Sequence, residues 1–419
     1  MTNFKFLHAA DIHLDSALRG LSRYEGVPAE QVRTATRDAL DNLVTAAIED
    51  QVAFVIIAGD LYDGDWDHFG TGLFFCAAMG RLEKAGIEVF LLFGNHDADS
   101  VLTKKLPLPP NVRVFGHRKA ETLLHDATGT ALHGRSYKDR DPGENLAAGY
   151  PDALAGHFNI GVLHTALTGG RPPHAPYSPC TPDELAAKEY DYWALGHVHQ
   201  HEVVSISPHI VFPGNLQGRN IRECGPKGAV LVEVQDGDVK EVRHLALDVV
   251  RWSRAEVDLT DAESDAAVYV RVREGLREVL NRDSDGRPLM VRVILSGRTE
   301  AHGALMQKTL LLREEVRAIA TALSDEIWIE KVVLATRGAG AAMQVGTVVD
   351  DLADLLAVGL EDDELQTQIR SDFADFLARI PSDLGAEDSV LQKLRAGDLA
   401  ELLQDATASL QARLVGETG

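Results

Sequence analysis

The sequence predicts an α/β protein with a second, smaller α+β region and a helical end. Three observations lead there. Short apolar runs alternate with helix-length segments through the first half, the pattern changes to strand, helix, strand near residue 248, and the spacing becomes wholly helical after about 347. At 419 residues the chain exceeds one ordinary core, which fits two or three domains.

The first segments in order are KFLHAA, a helix around 30–50, FVIIAG, a helix around 68–85, and VFLLFG. Val, Ile and Phe favour strands, and helix-length segments between them indicate crossovers and an α/β layered domain. NIGVLH, YWALGH, HIVFPG and GAVLVEV follow as further strands, and this domain spans 1–247. The α+β domain covers 248–337. There RAEVDL leads to a helix N-capped by Thr260 in a capping box with Glu263, with Val268, Val272, Leu276 and Leu280 on one face. LMVRVIL and EIWIEKVVL flank a second helix near 303–323. RGAGAAMQVG (337–346) reads as a linker, and 347–419 as a helical segment that either packs as a bundle or docks a partner.

Composition narrows the function classes. No run reaches the roughly 18 apolar residues of a membrane span, and the start lacks a signal-peptide layout, so a soluble cytoplasmic protein is expected. Three scattered cysteines, Cys76, Cys180 and Cys224, argue against a disulfide scaffold or zinc knuckle. The net charge of −23 repels polyanions, although cations gather in RVFGHRK (113–119), HGRSYKDR (133–140) and LQGRNIRECGPK (216–227). Such stretches are most simply solvated loops.

Chemistry concentrates at strand ends. ADIH, AGDLYD, FGNHD, VLHT and LGHVH bring Asp11, His13, Asp60, Asn95, His96, His164, His197 and His199 to positions where loops of an α/β sheet converge. Carboxylate, amide and imidazole donors without thiolate suit Mn, Fe or Zn, and seven ligands suit two ions better than one. With Asp60 bridging, one ion takes Asp11, His13, Asp60 and His199, and the other takes Asp60, Asn95, His164 and His197. Two ions so placed favour phosphate ester hydrolysis. His96 is left to stabilise the phosphate or protonate the leaving oxygen, with Asp97 as the expected orienting partner. Arg219 and Arg222 are candidates for phosphate contacts; the alternative is pairing with nearby acidic residues. The other histidines are assigned to structure or solvent, with His68 and His133 considered for the rim of the site, and Trp193 is assigned to the core.

These motifs resemble the calcineurin-like metallophosphoesterase family, in the order DxH, GD, GNH[DE], H and GHxH, over roughly residues 4–247. HAADIHLDS, AGDLYD and FPGNLQGRNIRE are similar to the DNA repair exonuclease branch, with its SbcD-type nuclease subunits and YhaO-like proteins. The resemblance implies a β-sandwich flanked by helices, a capping domain and a helical segment. It further implies two divalent ions, most often Mn²⁺, a DNA substrate and a coiled-coil ATPase partner of the SbcC or YhaN kind. Homodimerisation is another implied property, though the helix around 30–50 shows no apolar excess. In better-known members a second His stands three residues after the bridging Asp; here that residue is Asp63. The competing readings are a phosphodiesterase acting on a small nucleotide or other phosphoester, and a non-catalytic scaffold that binds DNA or an ATPase.

Overall fold

A computed structural model describes residues 3–18, 29–64, 69–98, 107–140, 142–168 and 177–338. The helical segment expected over 347–419, His68, His174 and all but the first two residues of the expected linker lie outside these. In chain order the first elements are β1 (Phe4–Ala9), α1 (Ala29–Glu49), β2 (Phe54–Ala58), α2 (Phe69–Lys84), β3 (Glu88–Leu92), the single turn α3 (Asn95–Ala98) and β4 (Val112–Val114). Then come β5 (Glu121–His125), β6 (Thr130–Gly134), β7 (Phe158–His164), α4 (Pro182–Ala186), β8 (Tyr192–Gly196), β9 (Glu202–Ile206), β10 (His209–Phe212), β11 (Gly228–Gln235) and β12 (Asp238–Ala246). The last are β13 (Arg251–Asp258), α5 (Asp265–Asp283), β14 (Leu289–Thr299), α6 (His302–Gln307), α7 (Thr309–Leu323) and β15 (Ile327–Gly338).

Two six-stranded sheets form the sandwich, ordered β12-β11-β1-β2-β3-β4 and β5-β6-β7-β8-β10-β9. β1 to β4 pair in parallel, as the crossover helices require, and so do β6, β7 and β8. A strand covered on both faces reads as continuous apolar sequence, and every residue of FVIIA in β2 is buried. Between the sheets lies an aromatic-rich core in which Phe4, Phe6, Phe54 and Phe90 meet Phe158 and Tyr192. Phe6 and Phe54 stack with centroids 5.2 Å apart, and Tyr192 meets Phe6 edge-on at the same distance. Helix α1 covers the outer face of the first sheet through Ala39, Leu43 and Ala47, an i, i+4 row of mostly small side chains on one helical face. The outer face of the second carries Tyr150, Tyr190, Trp193 and Leu195, so Trp193 is a core residue.

His8 bridges the sheets inside the core. Its Nε2 donates to the Leu195 carbonyl at 3.0 Å and its Nδ1 accepts from the Tyr192 hydroxyl at 3.0 Å. Burial pushes its pKa down to about 3, keeping the ring neutral.

The third sheet is β13-β14-β15. The chain groups into two compact units, Met1–Arg254 with Val279–Arg292 and Glu326–Glu330, and Ala255–Glu278 with Val293–Asp325 and the chain from Lys331. Two local expectations are corrected in this region. Helix α5 begins at Asp265, with the Ser264 hydroxyl accepting from Ala267 N–H at 3.3 Å, so Thr260 is not its N-cap. Thr260 is engaged by the Asp258 carboxylate, which accepts both its N–H and its hydroxyl, a local turn that competes with helix initiation. The helix expected near 303–323 is divided at Lys308 into α6 and α7, where the backbone leaves helical values at φ −109° and ψ 33°. Among the described residues no helix is long and apolar enough to cross a membrane.

Candidate metal centre

The parallel strands deliver their ends to one place in the larger unit. Beyond β1 the chain runs beside the segment after β2: Asp11 N–H donates to Gly59 O at 3.0 Å, His13 N–H to Asp60 O at 3.1 Å, and Leu14 N–H to Leu61 O at 2.9 Å. Asp11, His13, Asp60 and His197 all have left-handed backbones, with φ of 50°, 46°, 50° and 98°. Side chains rarely adopt that region, and such strain gathers where geometry is imposed by function. The glycines before the ligands serve close approach. A Cβ at Gly59, where φ is +101°, would collide with the His164 ring, and one at Gly94 would collide with the Asp60 carboxylate.

The candidate ligands fall into two trios. In one, Asp11, His13 and His199 present donor atoms mutually within 4.8 Å, and in the other Asp60, His164 and His197 do the same. His13 Nε2 and His199 Nε2 stand 3.3 Å apart, and His199 Nε2 lies 3.8 Å from Asp11 Oδ1. In the second trio His164 Nε2 is 3.3 Å from Asp60 Oδ2 and 2.9 Å from Asn95 Oδ1, which adds Asn95. The trios are joined through the backbone, because His197 N–H donates to Asp11 Oδ2 at 2.9 Å.

Ring orientation is set by the far nitrogens. His164 Nδ1 donates to the Ala58 carbonyl at 2.9 Å, and His199 Nδ1 donates to Glu223 Oε1 at 2.8 Å, so each directs Nε2 inward. Burial opposes ionisation of Asp60, but the facing His164 outweighs it and holds the carboxyl well below its ordinary pKa. Burial likewise opposes charge on His164, and Asp60 more than reverses this, raising it to about 9. For Asp11 burial prevails and its pKa is raised; burial and then Arg219 push His13 down.

His96 sits beside these groups with its side chain about a third exposed, and its Nδ1 donates to Asp63 Oδ1 at 2.8 Å. Burial would lower its pKa, but this hydrogen bond and the charge of Asp60 raise it. Asp97 does not orient His96. Its carboxylate accepts N–H groups from Leu61, Tyr62 and Gly94 at 3.1, 2.9 and 3.0 Å and so shapes the loops that carry Asp60 and Asn95.

The two arginines part company. Arg219 points inward: Nη1 is 3.3 Å from Ser16 Oγ and 3.5 Å from Asp63 Oδ2, and Nη2 is 3.6 Å from Glu223 Oε1. Pairing with acidic neighbours is thus its observed state. Arg222 is exposed. His133 is bonded to Thr122 and Asn159 and stacked on Tyr190. Glu223 and Ser16 did not stand out in the sequence, and Asp63 stood out only as a departure from a motif. Their parts depend on contacts 24, 47 and 33 positions away in the chain, for which no local spacing signal exists.

The donor atoms fit divalent cations. Asp11 Oδ1 and His13 Nδ1 are buried and make no hydrogen bond among the described residues, and two imidazole Nε2 atoms face each other across 3.3 Å. Buried carboxylate and imidazole donor atoms that converge without hydrogen-bond partners are what a metal ion satisfies.

Residues 4–201 match the calcineurin-like phosphoesterase family, and residues 252–337 match the middle domain of metallophosphoesterase YhaO. The chain belongs to the calcineurin-like metallophosphoesterases, with a YhaO-type middle domain. It is 35% identical over 301 residues to metallophosphoesterase YhaO of Bacillus subtilis, covering 71% of this chain and 72% of that one. It is 23% identical over 312 residues to the DNA double-strand break repair protein Mre11 of Methanopyrus kandleri, covering 68% and 66%. With Mre11 of Haloferax volcanii the identity is 26% over 275 residues, covering 64% and 58%.

Proposed function

We propose that this metallophosphoesterase is a dinuclear phosphodiesterase that cleaves DNA in a repair complex, in the cytoplasm, with a coiled-coil ATPase of the SbcC or YhaN kind. The observation that carries the reading is the meeting of both ligand trios with the His96 and Asp63 pair at one sandwich end. Similarity to proteins named for double-strand break repair supports DNA as the substrate. In this reading residues 1–247 form the catalytic domain, 248–337 cap it, and 347–419 meet the partner.

Asp11, His13, Asp60 and His199 would hold one ion, and Asp60, Asn95, His164 and His197 the other, with Mn²⁺ the expected metal. Bound there, two ions supply Lewis acidity to the phosphoryl oxygen and lower the pKa of a water nucleophile. The protein's own part begins with Ala58 and Glu223, which fix the ring orientations of His164 and His199. Asp63 keeps His96 charged and aimed, so that its other ring nitrogen donates a proton to the leaving oxygen. A second reading, a small phosphodiester substrate, is favoured by one observation: Arg219 is committed to Asp63 and Glu223, leaving less positive charge for a polyanion.

Cleavage of end-labelled duplex and single-stranded DNA with Mn²⁺, Mg²⁺ or EDTA, with His96→Asn in parallel, separates these. Mn²⁺-dependent shortening that the variant lacks supports the nuclease. Turnover of an aryl phosphodiester, with DNA intact even when the ATPase partner is added, supports the second reading.

A further inference from the structure

The three basic stretches meet different fates in the fold. LQGRNIRECGPK turns inward: Arg219 serves Asp63 and Glu223, Lys227 is buried with Nζ donating to the His199 carbonyl at 2.7 Å, and only Arg222 is exposed. The other two stretches, about twenty residues apart in sequence, come together. Ser136 N–H donates to Gly116 O at 3.1 Å, and Arg135 Nε donates to His117 O at 3.2 Å.

Strand register places this joined segment at the same sandwich end as the ligands. β4 runs parallel beside β3, with Val114 level with Leu91, so 115–119 emerges with Gly94 and Asn95. β6 runs parallel beside β7, with Gly134 level with Val162, so 135–140 emerges with His164. Adjacent strands are about 5 Å apart, so the rim starts one strand spacing from two ligand-bearing strands. Tyr137 ties it there, its N–H donating to Phe93 O at 2.9 Å and its hydroxyl to the His164 carbonyl at 2.5 Å.

The charges on this rim face outward. Arg118, Lys119, Lys138 and Arg140 are exposed and Arg135 is partly so. Among the described residues, Glu121 accepts from Gly116 N–H, Glu144 pairs with Arg135 at 3.1 Å, and Asp139 lies 3.6 Å from Lys138. Arg118 and Lys119 make no ion pair among the described residues. On a chain of net charge −23, an outward cationic rim beside a phosphoesterase site has a direct physical use.

We infer that the 115–119 and 135–140 segments form the surface that docks the phosphodiester backbone of a nucleic acid strand on its way to the metal centre. This rests on the nuclease reading and extends it by assigning where the polyanion lies. Arginine and lysine so placed contact phosphates without reading bases, so binding is insensitive to sequence and steeply salt-dependent.

The test is fluorescence anisotropy of a labelled DNA oligonucleotide on the full chain with Mn²⁺, in a His96→Asn background so that the DNA stays whole. R118E/K119E is compared with K84E/K240E, an equal change of net charge at the opposite sandwich end, where α2 stops before β3 and β12 lies level with the start of β1. R118E/K119E should weaken binding about tenfold or more and flatten the logarithmic salt slope by about 1.5 to 2, whereas K84E/K240E should change it little. No measurable binding by the parent, equal losses in both variants, or an unmoved R118E/K119E would overturn the inference. Cleavage by the His96 parent reads the nuclease assignment separately. Rim-dependent binding without cleavage in the presence of the ATPase partner sinks that assignment alone, and cleavage with rim-independent binding sinks the rim alone.

Discussion

The two ligand trios use the same donor chemistry but are held by different means. Asp60, His164 and His197 are buried, and His164 is oriented by the backbone carbonyl of Ala58, a group no side-chain substitution removes. Asp11 and His13 are as deeply buried, but His199 keeps a fifth of its side chain exposed and is oriented by Glu223, a carboxylate on the loop after β10. That loop is tied in turn by Asn215 Nδ2 and Arg219 N–H, which donate to Glu223 Oε2 at 3.0 and 2.6 Å. The Asp60, His164 and His197 trio is therefore set by the sheets themselves. The Asp11, His13 and His199 trio depends on a side chain that can be tuned.

The largest effect should come from Asp60→Asn, which removes the shared carboxylate and the charge opposite His164. Both the Mn²⁺ stoichiometry in calorimetry and hydrolysis of an aryl phosphodiester should fall, the latter well beyond roughly 100-fold, since changing only an orienting partner of a ligand costs up to about that much. Next is His96→Asn, expected to retain bound metal and slow cleavage by about 10²- to 10⁴-fold in single-turnover kinetics.

Glu223→Gln tests the comparison itself. Titration should show one Mn²⁺ site weakened by about 10- to 100-fold and the other unchanged. Equal weakening of both, or of neither, would mean that the trios are not held in separate ways. Smallest is Tyr137→Phe, which removes the hydroxyl bonded to the His164 carbonyl behind the buried trio. Denaturant unfolding should register a loss of about 1 kcal/mol.

Much of the site was legible because each ligand follows an apolar run at a strand end, where parallel topology makes convergence predictable. The candidate ligands Asp11, His13, Asp60, Asn95, His164, His197 and His199 come together on that logic. What surrounds them was less readable. Asp97, next to His96 in sequence, faces the other way because the single turn of α3 aims it at the N–H groups of Leu61, Tyr62 and Gly94. Asp63 takes the orienting place instead, brought there by a loop with left-handed residues that no periodicity reports. Thr260 shows the same limit: its capping pattern was real in sequence, yet Asp258 two residues earlier captured it first.

Anomalous diffraction at the manganese edge, from crystals of the full chain grown with Mn²⁺, separates a dinuclear from a mononuclear centre. Two peaks are expected about 3.5 to 4 Å apart, one against Asp11, His13 and His199 and the other against Asn95, His164 and His197, with Asp60 reaching both. A single peak, or two peaks with Asp60 bound to only one, would contradict the dinuclear centre on which the proposed chemistry rests.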